Sequence, residues 1–236
     1  MKTHKAHDLV LEQVFVDPRL HPQPPHQASA DPLHLPEALQ GTHSIGKYLS
    51  NPELANPHLV VLGVPGAGKT TLLKHLALTL IQPKKPSRRL QSHTFPILLS
   101  LRDHVQAIVD QPTFSLANAV EEHAQRKWQK TIPASWIDRF LKRGKCLVLL
   151  DGLDEVADRS TRQVVVTWVE RQMVAQEGNR FVLTSRRHGY RENPLDGIGV
   201  TVLEVQTFSS DQVEQFIQNW YLAIERKSGG VVHFFA

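Results

Sequence analysis

Cysteine is almost absent from the chain, and this scarcity limits its chemistry. Cys146 is the single cysteine among 236 residues, so an intrachain disulfide is excluded. A reducing, cytoplasmic compartment fits that composition. Because Cys146 opens the apolar run Leu147 to Leu150, we interpret it as a small buried thiol rather than a nucleophile.

Long apolar runs and metal-binding motifs are also missing. The uninterrupted apolar stretches fall far short of the roughly 20 residues that a membrane-spanning helix needs. Residues 1–16 lack a continuous apolar signal region, so we predict a soluble, unsecreted protein with no membrane partner. The thirteen histidines are scattered, without an HExxH motif or cysteine partners for zinc.

The charge balance is mildly basic. Lysine and arginine total 27 against 23 acidic residues, which gives a net charge of +4. This excess suits an anionic ligand but does not demand nucleic acid, and no nucleic-acid partner is evident. A basic loop carries Lys84, Lys85, Arg88 and Arg89, which we interpret mainly as solvated surface, with phosphate contact as the alternative.

What the chain does have is a glycine-rich segment. GVPGAGKT, from Gly63 to Thr70, fits GxxxxGK(S/T) and lies between the apolar run Leu59 to Leu62 and a predicted helix, Lys69 to Ile81. Glycines without a Cβ let backbone amides curl around an anion, and the lysine adds positive charge for a polyphosphate. The predicted nucleotide-binding residues are Gly63, Val64, Pro65, Gly66, Ala67, Gly68, Lys69, Thr70 and Thr71.

A second motif supplies carboxylates. LVLLDGLDE places Asp151 at the tip of a buried strand, where it can hold Mg²⁺ together with the Thr70 hydroxyl. Asp154 and Glu155 could orient or deprotonate the water that attacks the γ-phosphate, and Glu155 is the preferred base. Turn residues capping the next helix are the alternative interpretation.

A third motif supplies an arginine. FVLTSRR ends another buried strand, and Arg186 is placed to contact the γ-phosphate in preference to Arg187. Arginines in a solvated loop are the alternative.

Strand-like and helix-like segments alternate along the chain. This pattern predicts an α/β fold: a three-layer P-loop NTPase sandwich with a five-stranded parallel sheet and helices on both faces. We predict the order 5-1-4-3-2, which puts the fourth strand between the first and third. The predicted strands are Leu59 to Leu62, Phe95 to Leu101, Cys146 to Leu150, Arg180 to Thr184 and Val200 to Val205.

Three regions are predicted. Residues 1–43 form an N-terminal segment with a proline-rich linker, residues 44–208 the NTPase core, and residues 209–236 the start of a helical region with an irregular tail. Ser209 and Gln212 resemble a capping box that opens the last helix. The segment Thr42 to Ile45 is a candidate wall for adenine, and Trp128 and Trp136 are expected to anchor the core rather than to serve as stacking platforms.

These motifs resemble the NACHT family, a branch of the STAND class of signal-transducing P-loop ATPases that includes NOD-like receptors. The matching segments are GVPGAGKTT at Gly63 to Thr71, LVLLDGLDEV at Leu147 to Val156 and FVLTSR at Phe181 to Arg186. The resemblance covers about residues 44–223. It implies a switch that binds ATP or ADP with Mg²⁺, hydrolyses ATP with low turnover, and self-associates in a full-length form to transmit a signal.

Two features depart from the family pattern. Many relatives have proline after the sensor arginine, where this chain has Arg187. Relatives also continue into helical and winged-helix domains, so we interpret the chain as a fragment or a truncated reading frame. A nucleotide-binding scaffold without turnover and a phosphotransferase remain alternative functions. A GTPase is disfavoured because the guanine-reading motif (N/T)KxD is missing, and a transporter ATPase is disfavoured because no LSGGQ-like segment precedes the acidic strand.

Overall fold

A mixed sheet forms the centre of the protein. The structure is a computed structural model that describes residues 11–23, 36–54, 56–81 and 95–227. Within these residues the sheet has six strands in the spatial order β1-β6-β2-β5-β4-β3. The strands are β1 (Leu20–Pro22), β2 (His58–Leu62), β3 (Phe95–Ser100), β4 (Cys146–Asp151), β5 (Arg180–Ser185) and β6 (Val200–Val205).

The strand order confirms the main topological prediction. Strands β2 to β6 are parallel, and β5 lies between the strand that feeds the phosphate loop and the strand that carries the acidic motif. Val182 of β5 pairs with Leu59 on one side and with Leu149 on the other. The five predicted strands therefore occur in the predicted order.

The predicted count of five strands is wrong, because β1 adds an antiparallel edge. Leu20 pairs with Val205 of β6, and Pro22 pairs with Leu203. Proline lacks an N–H and is tolerated at a sheet edge, which explains how a proline-rich segment can still supply a strand. Residues 11–23 thus join the core, and the predicted region boundary at residue 43 stays a prediction.

Helices precede, connect and follow the parallel strands. Besides a helical turn at residues 11–14, the described α-helices are α1 (Ile45–Ser50), α2 (Lys69–Ile81), α3 (Val105–Asp110), α4 (Leu116–Trp128), α5 (Ala134–Leu141), α6 (Arg159–Ala175), α7 (Arg187–Glu192) and α8 (Ser210–Lys227). The predicted capping box is present, because the Ser209 N–H donates to Gln212 Oε1 at 3.1 Å and the Gln212 N–H donates to Ser209 Oγ at 3.3 Å. These bonds satisfy amides that the first turn of α8 leaves without helical partners.

Two apolar clusters sandwich the sheet. Alternate side chains of β2 enter opposite clusters: Val60 and Leu62 pack on one face, and Leu59 and Val61 pack on the other. Fully burying such a side chain contributes about 1.5–3 kcal/mol. The arrangement gives the predicted three-layer sandwich and leaves the carboxyl edge of the sheet for polar loops.

Three predictions concern residues away from the sheet. Trp136 packs against the core as predicted, whereas Trp128 is 53% exposed and does not anchor it. The basic loop of Lys84 to Arg89, interpreted mainly as solvated surface, and the tail from residue 231 to residue 236 lie outside the described residues. None of the described helices combines the length and apolarity needed to cross a membrane.

Candidate functional site

The phosphate loop connects β2 to the first turn of α2. Gly66 and Gly68 have φ values of +78° and +80°, in the left-handed region that residues with a Cβ rarely adopt. A Cβ on Gly63 would lie 3.1 Å from the Cβ of Ala67, closer than ordinary van der Waals contact, so a larger residue there would crowd the loop. This backbone suits a cradle of N–H groups for an anion.

Lys69 folds back over that loop. Its Nζ donates to the carbonyl oxygens of Gly63 at 2.7 Å and Val64 at 3.1 Å. Burial lowers the pKa of Lys69, an effect that Arg186 reinforces and that the carboxylates of the acidic motif oppose, Asp154 most strongly. The motifs at the tips of β2, β4 and β5 therefore share one electrostatic environment, as ligand sites at the carboxyl edge of parallel sheets do.

Asp151 links three of these elements. Its Oδ2 accepts a hydrogen bond from Thr70 Oγ1 at 2.7 Å, and its Oδ1 accepts one from Thr184 Oγ1 at 2.5 Å. The hydroxyl oxygen of Thr184 also accepts from the Gly152 N–H at 2.9 Å. Thr184 was not among the predicted site residues, although it lies inside the FVLTSR motif.

The Asp151 and Thr70 pair fits a divalent cation. A carboxylate and a hydroxyl are hard oxygen donors of the kind that Mg²⁺ prefers, and Mg²⁺ takes its remaining ligands from waters and phosphates. No group of three or more His, Cys, Asp or Glu residues suited to a metal occurs in the described part of the chain. A cation here would thus depend on a phosphate ligand as well as on the protein.

Asp154 holds the loop after β5. Its Oδ1 accepts from the Arg186 backbone N–H at 2.8 Å, and its Oδ2 pairs with Arg186 Nε at 2.8 Å. Only 11% of the Asp154 side chain is exposed, and a Cβ on Gly189 would lie 2.9 Å from its Cβ. Asp154 is therefore positioned to fix Arg186, with little access to water.

Glu155 points to a different partner. Its Oε2 lies 3.2 Å from Nη1 of Arg102, and 41% of the Glu155 side chain is exposed. Arg102 belongs to a 3-10 helix, Leu101–His104, that follows β3. Arg102 could not be predicted as part of the site, because a single arginine after a strand forms no sequence motif.

Arg187, the departure from the family pattern, forms an ion pair with Glu204 of β6. Leu62, the last residue of β2, pairs with Ser185 of β5 on one side and with Glu204 on the other. The Arg187 side chain therefore spans the strand end from which the phosphate loop emerges. Each arginine of this loop is held by its own carboxylate.

A mostly apolar pocket of about 540 Å³ lies beside the phosphate loop. One wall comes from residues 11–23, which we call the strap, and in particular from Leu11, Val14, Phe15, Val16 and Pro18. The loop contributes residues 64–68 and Thr71, and the end of the sheet contributes residues 205–208 together with Phe216 of α8. The volume and apolar lining suit a planar heteroaromatic ring.

The predicted adenine wall at Thr42 to Ile45 is not part of this pocket. His43 instead bridges Leu20 of β1, and Ile45 is buried in the core. The pocket wall on that side comes from the strap instead, and the adenine wall at Thr42 to Ile45 stays a prediction.

Taken together, the strand order and the loop from Gly63 to Thr70 define a nucleotide-binding P-loop NTPase module. A protein-family model described as the NACHT domain matches residues 58–223. The chain belongs to the NACHT family, as the motifs indicated.

Similarity to individual proteins is more distant. An uncharacterized WD repeat-containing protein from Nostoc sp. is 26% identical over 195 residues, covering 73% of this chain and 12% of that protein. The chain thus spans about an eighth of the relative's length.

Among solved structures, domain III of the replication initiation protein DnaA from Thermotoga maritima is 12% identical, with a TM-score of 0.45, covering 80% of this chain and 69% of that one. PCH-2 from C. elegans is 17% identical, also with a TM-score of 0.45, covering 81% of this chain and 48% of that one.

Proposed function

We propose that the chain is the nucleotide-operated module of a signalling switch, which binds Mg²⁺-ATP or ADP and hydrolyses ATP slowly. The convergence of the Lys69 loop, the Asp151 and Thr70 pair and Arg186 at one sheet edge carries this proposal. In full-length proteins of this kind the output would be self-association. The cytoplasm is the compartment that we propose for it.

Each residue has a defined part in this proposal. The loop amides and Lys69 bind the β- and γ-phosphates, Thr70 and Asp151 hold Mg²⁺, and Arg186 contacts the γ-phosphate. Mg²⁺, when bound, neutralises phosphate charge and orients the triphosphate. Glu155 takes a proton from the attacking water, and adenine enters the pocket beside the strap.

Calorimetric titration of ATP tests the binding step. Lys69→Ala removes the main point charge on the β- and γ-phosphates and should weaken binding by at least about tenfold, or roughly 1.4 kcal/mol. Lys74→Ala, at an exposed position of the same helix, is the matched control and should bind as the wild type does. Equal affinities for the two variants would contradict the assignment of Lys69.

A nucleotide-binding scaffold without turnover is the second candidate. The observation that favours it is that both acidic candidates have partners: Asp154 is engaged by Arg186, and Glu155 by Arg102. Steady-state phosphate release, measured with and without Mg²⁺, distinguishes the two candidates. Release that requires Mg²⁺ and disappears in Glu155→Gln supports the ATPase, whereas ATP binding without release supports the scaffold.

A further inference from the structure

Two distant parts of the chain meet across the apolar pocket. The strap supplies Val14 and Phe15 to one wall, and α8 supplies Phe216 to another. The two parts are also joined directly, because Gln212 Nε2 of α8 donates to the backbone oxygen of Asp17 at 2.9 Å. The pocket therefore lies where a ligand could contact both parts at once.

The two ends of the strap are attached unequally. Residues 20–22 pair with β6, and Leu20 is fully buried and exchanges backbone hydrogen bonds with His43. Residues 11–18 are held by fewer bonds: the Phe15 ring stacks on His75 of α2 with centroids 3.6 Å apart, and Gln212 donates to Asp17. Because a segment with few hydrogen bonds opens at a lower free-energy cost than a paired strand, extra contacts in the pocket can change how often residues 11–18 detach.

We propose that a bound nucleobase clamps the strap to α8, so that the base and not the phosphates sets the order of both segments. The inference rests on the proposed nucleotide site and adds a regulatory consequence to it. A planar base in the pocket would bury apolar surface of Phe15 and Phe216 that is otherwise shared with water. A ligand shifts the equilibrium between the attached and the detached strap only if it contacts one of these states better than the other. A base in the pocket would contact the attached strap, whereas a phosphate chain bound at the loop would not.

Gln212 is the residue that makes the clamp testable. Its Oε1 accepts from the Ser209 N–H in the capping box, while its Nε2 donates to Asp17. Gln212→Glu keeps the capping acceptor, since glutamate serves equally well at this position of the box, but it removes the donor to the strap. The variant therefore removes the hydrogen bond between α8 and the strap without removing the cap that stabilises α8.

Hydrogen exchange of the full chain, followed by mass spectrometry, tests the clamp. The probes are ATP, ADP and inorganic triphosphate, each with Mg²⁺ at saturating concentration. For the wild type we expect ATP and ADP to slow exchange in residues 11–23 and 209–216 by about tenfold, and triphosphate to slow exchange only in residues 63–71. In Gln212→Glu, ATP should still protect residues 63–71 while protection of the strap is lost. Gln218→Glu, on the same helix but outside the pocket, should behave as the wild type does.

The outcomes separate the clamp from the nucleotide site. Protection of the strap by triphosphate as strong as that by ATP would overturn the clamp, as would unchanged strap protection in Gln212→Glu. Protection of residues 63–71 alone by ATP, ADP and triphosphate would also overturn the clamp, and would leave the proposed phosphate site standing. Absence of protection at residues 63–71 with every probe would instead contradict the proposed function.

Discussion

The ion pair between Arg102 and Glu155 leads to a specific prediction about turnover. Both side chains are substantially exposed, at 66% and 41%, and their closest atoms are 3.2 Å apart. Exposed pairs of this kind contribute about 0.2–1 kcal/mol, because solvent screens the charges. Arg102→Ala should therefore leave the free energy of unfolding almost unchanged.

The energy of this ion pair should also affect the rate of ATP hydrolysis by a small amount. Glu155 must leave Arg102 to take a proton from water, so removing the arginine lowers the cost of that step by at most about 1 kcal/mol. We expect steady-state phosphate release by Arg102→Ala to rise by up to about fivefold. Arg102→Lys should stay near the wild-type rate because it keeps a positive charge beside the glutamate.

The controls follow from the same geometry. The double variant Arg102→Ala with Glu155→Gln should show no increase, since the base is absent. Slower release in Arg102→Ala, with ATP affinity unchanged, would refute the reasoning and show that Arg102 positions Glu155 for catalysis instead of restraining it.

Three further predictions concern the neighbouring side chains. Thr184→Val leaves a buried amide without its acceptor and should lower the free energy of unfolding by about 1–3 kcal/mol in urea titrations, whereas Thr184→Ser should not. Arg187→Ala leaves Glu204 unpaired beside the phosphate loop and should weaken ATP binding by up to about fivefold, and adding Glu204→Gln should restore the calorimetric affinity. Glu155→Gln should reduce phosphate release by about 100-fold with ATP still bound, and if Asp154→Asn alone abolishes release, the two acidic residues have exchanged roles.

The parallel strands could be predicted because their residue patterns match the positions that they occupy in the fold. The run Leu147 to Leu150 is apolar at every position, as a strand covered on both faces must be, and its side chains do enter both clusters. The predicted order of the strands followed from the acidic motif, since NTPases with a catalytic acid just after the aspartate at the strand tip insert a strand beside it. Both predictions are confirmed by the pairing of β5 with β2 and β4.

Strand β1 could not be predicted from its own residues. The sequence Leu-His-Pro has no strand pattern of useful length, and its proline argues against a strand. It pairs because β6 offers an open edge, and Tyr48 Oη adds a hydrogen bond to the Leu20 oxygen at 3.3 Å. Contacts with residues distant in the sequence determine the conformation of β1, so its own three residues do not predict it.

The apolar pocket beside the phosphate loop could not be predicted for a related reason. Phe15 and Phe216 are about 200 positions apart in the sequence, and each lies in a segment that looks unremarkable alone. Their proximity depends on β1 pairing with β6 and on Gln212 reaching Asp17. Since β1 positions the strap, neither the strand nor the pocket could be predicted from local patterns.

The acidic motif shows why the roles of Asp154 and Glu155 could not be separated by spacing alone. Gly152 has a φ of +78°, and a Cβ there would lie 3.0 Å from Cδ of Glu155. This left-handed residue turns the chain so that Asp154 faces inward onto Arg186 while Glu155 faces outward onto Arg102. A water that attacks the γ-phosphate needs a base that solvent can reach, and Asp154 is nearly closed to solvent. The exposed glutamate therefore suits proton transfer, and the enclosed aspartate suits the fixed geometry that an arginine contacting the γ-phosphate requires.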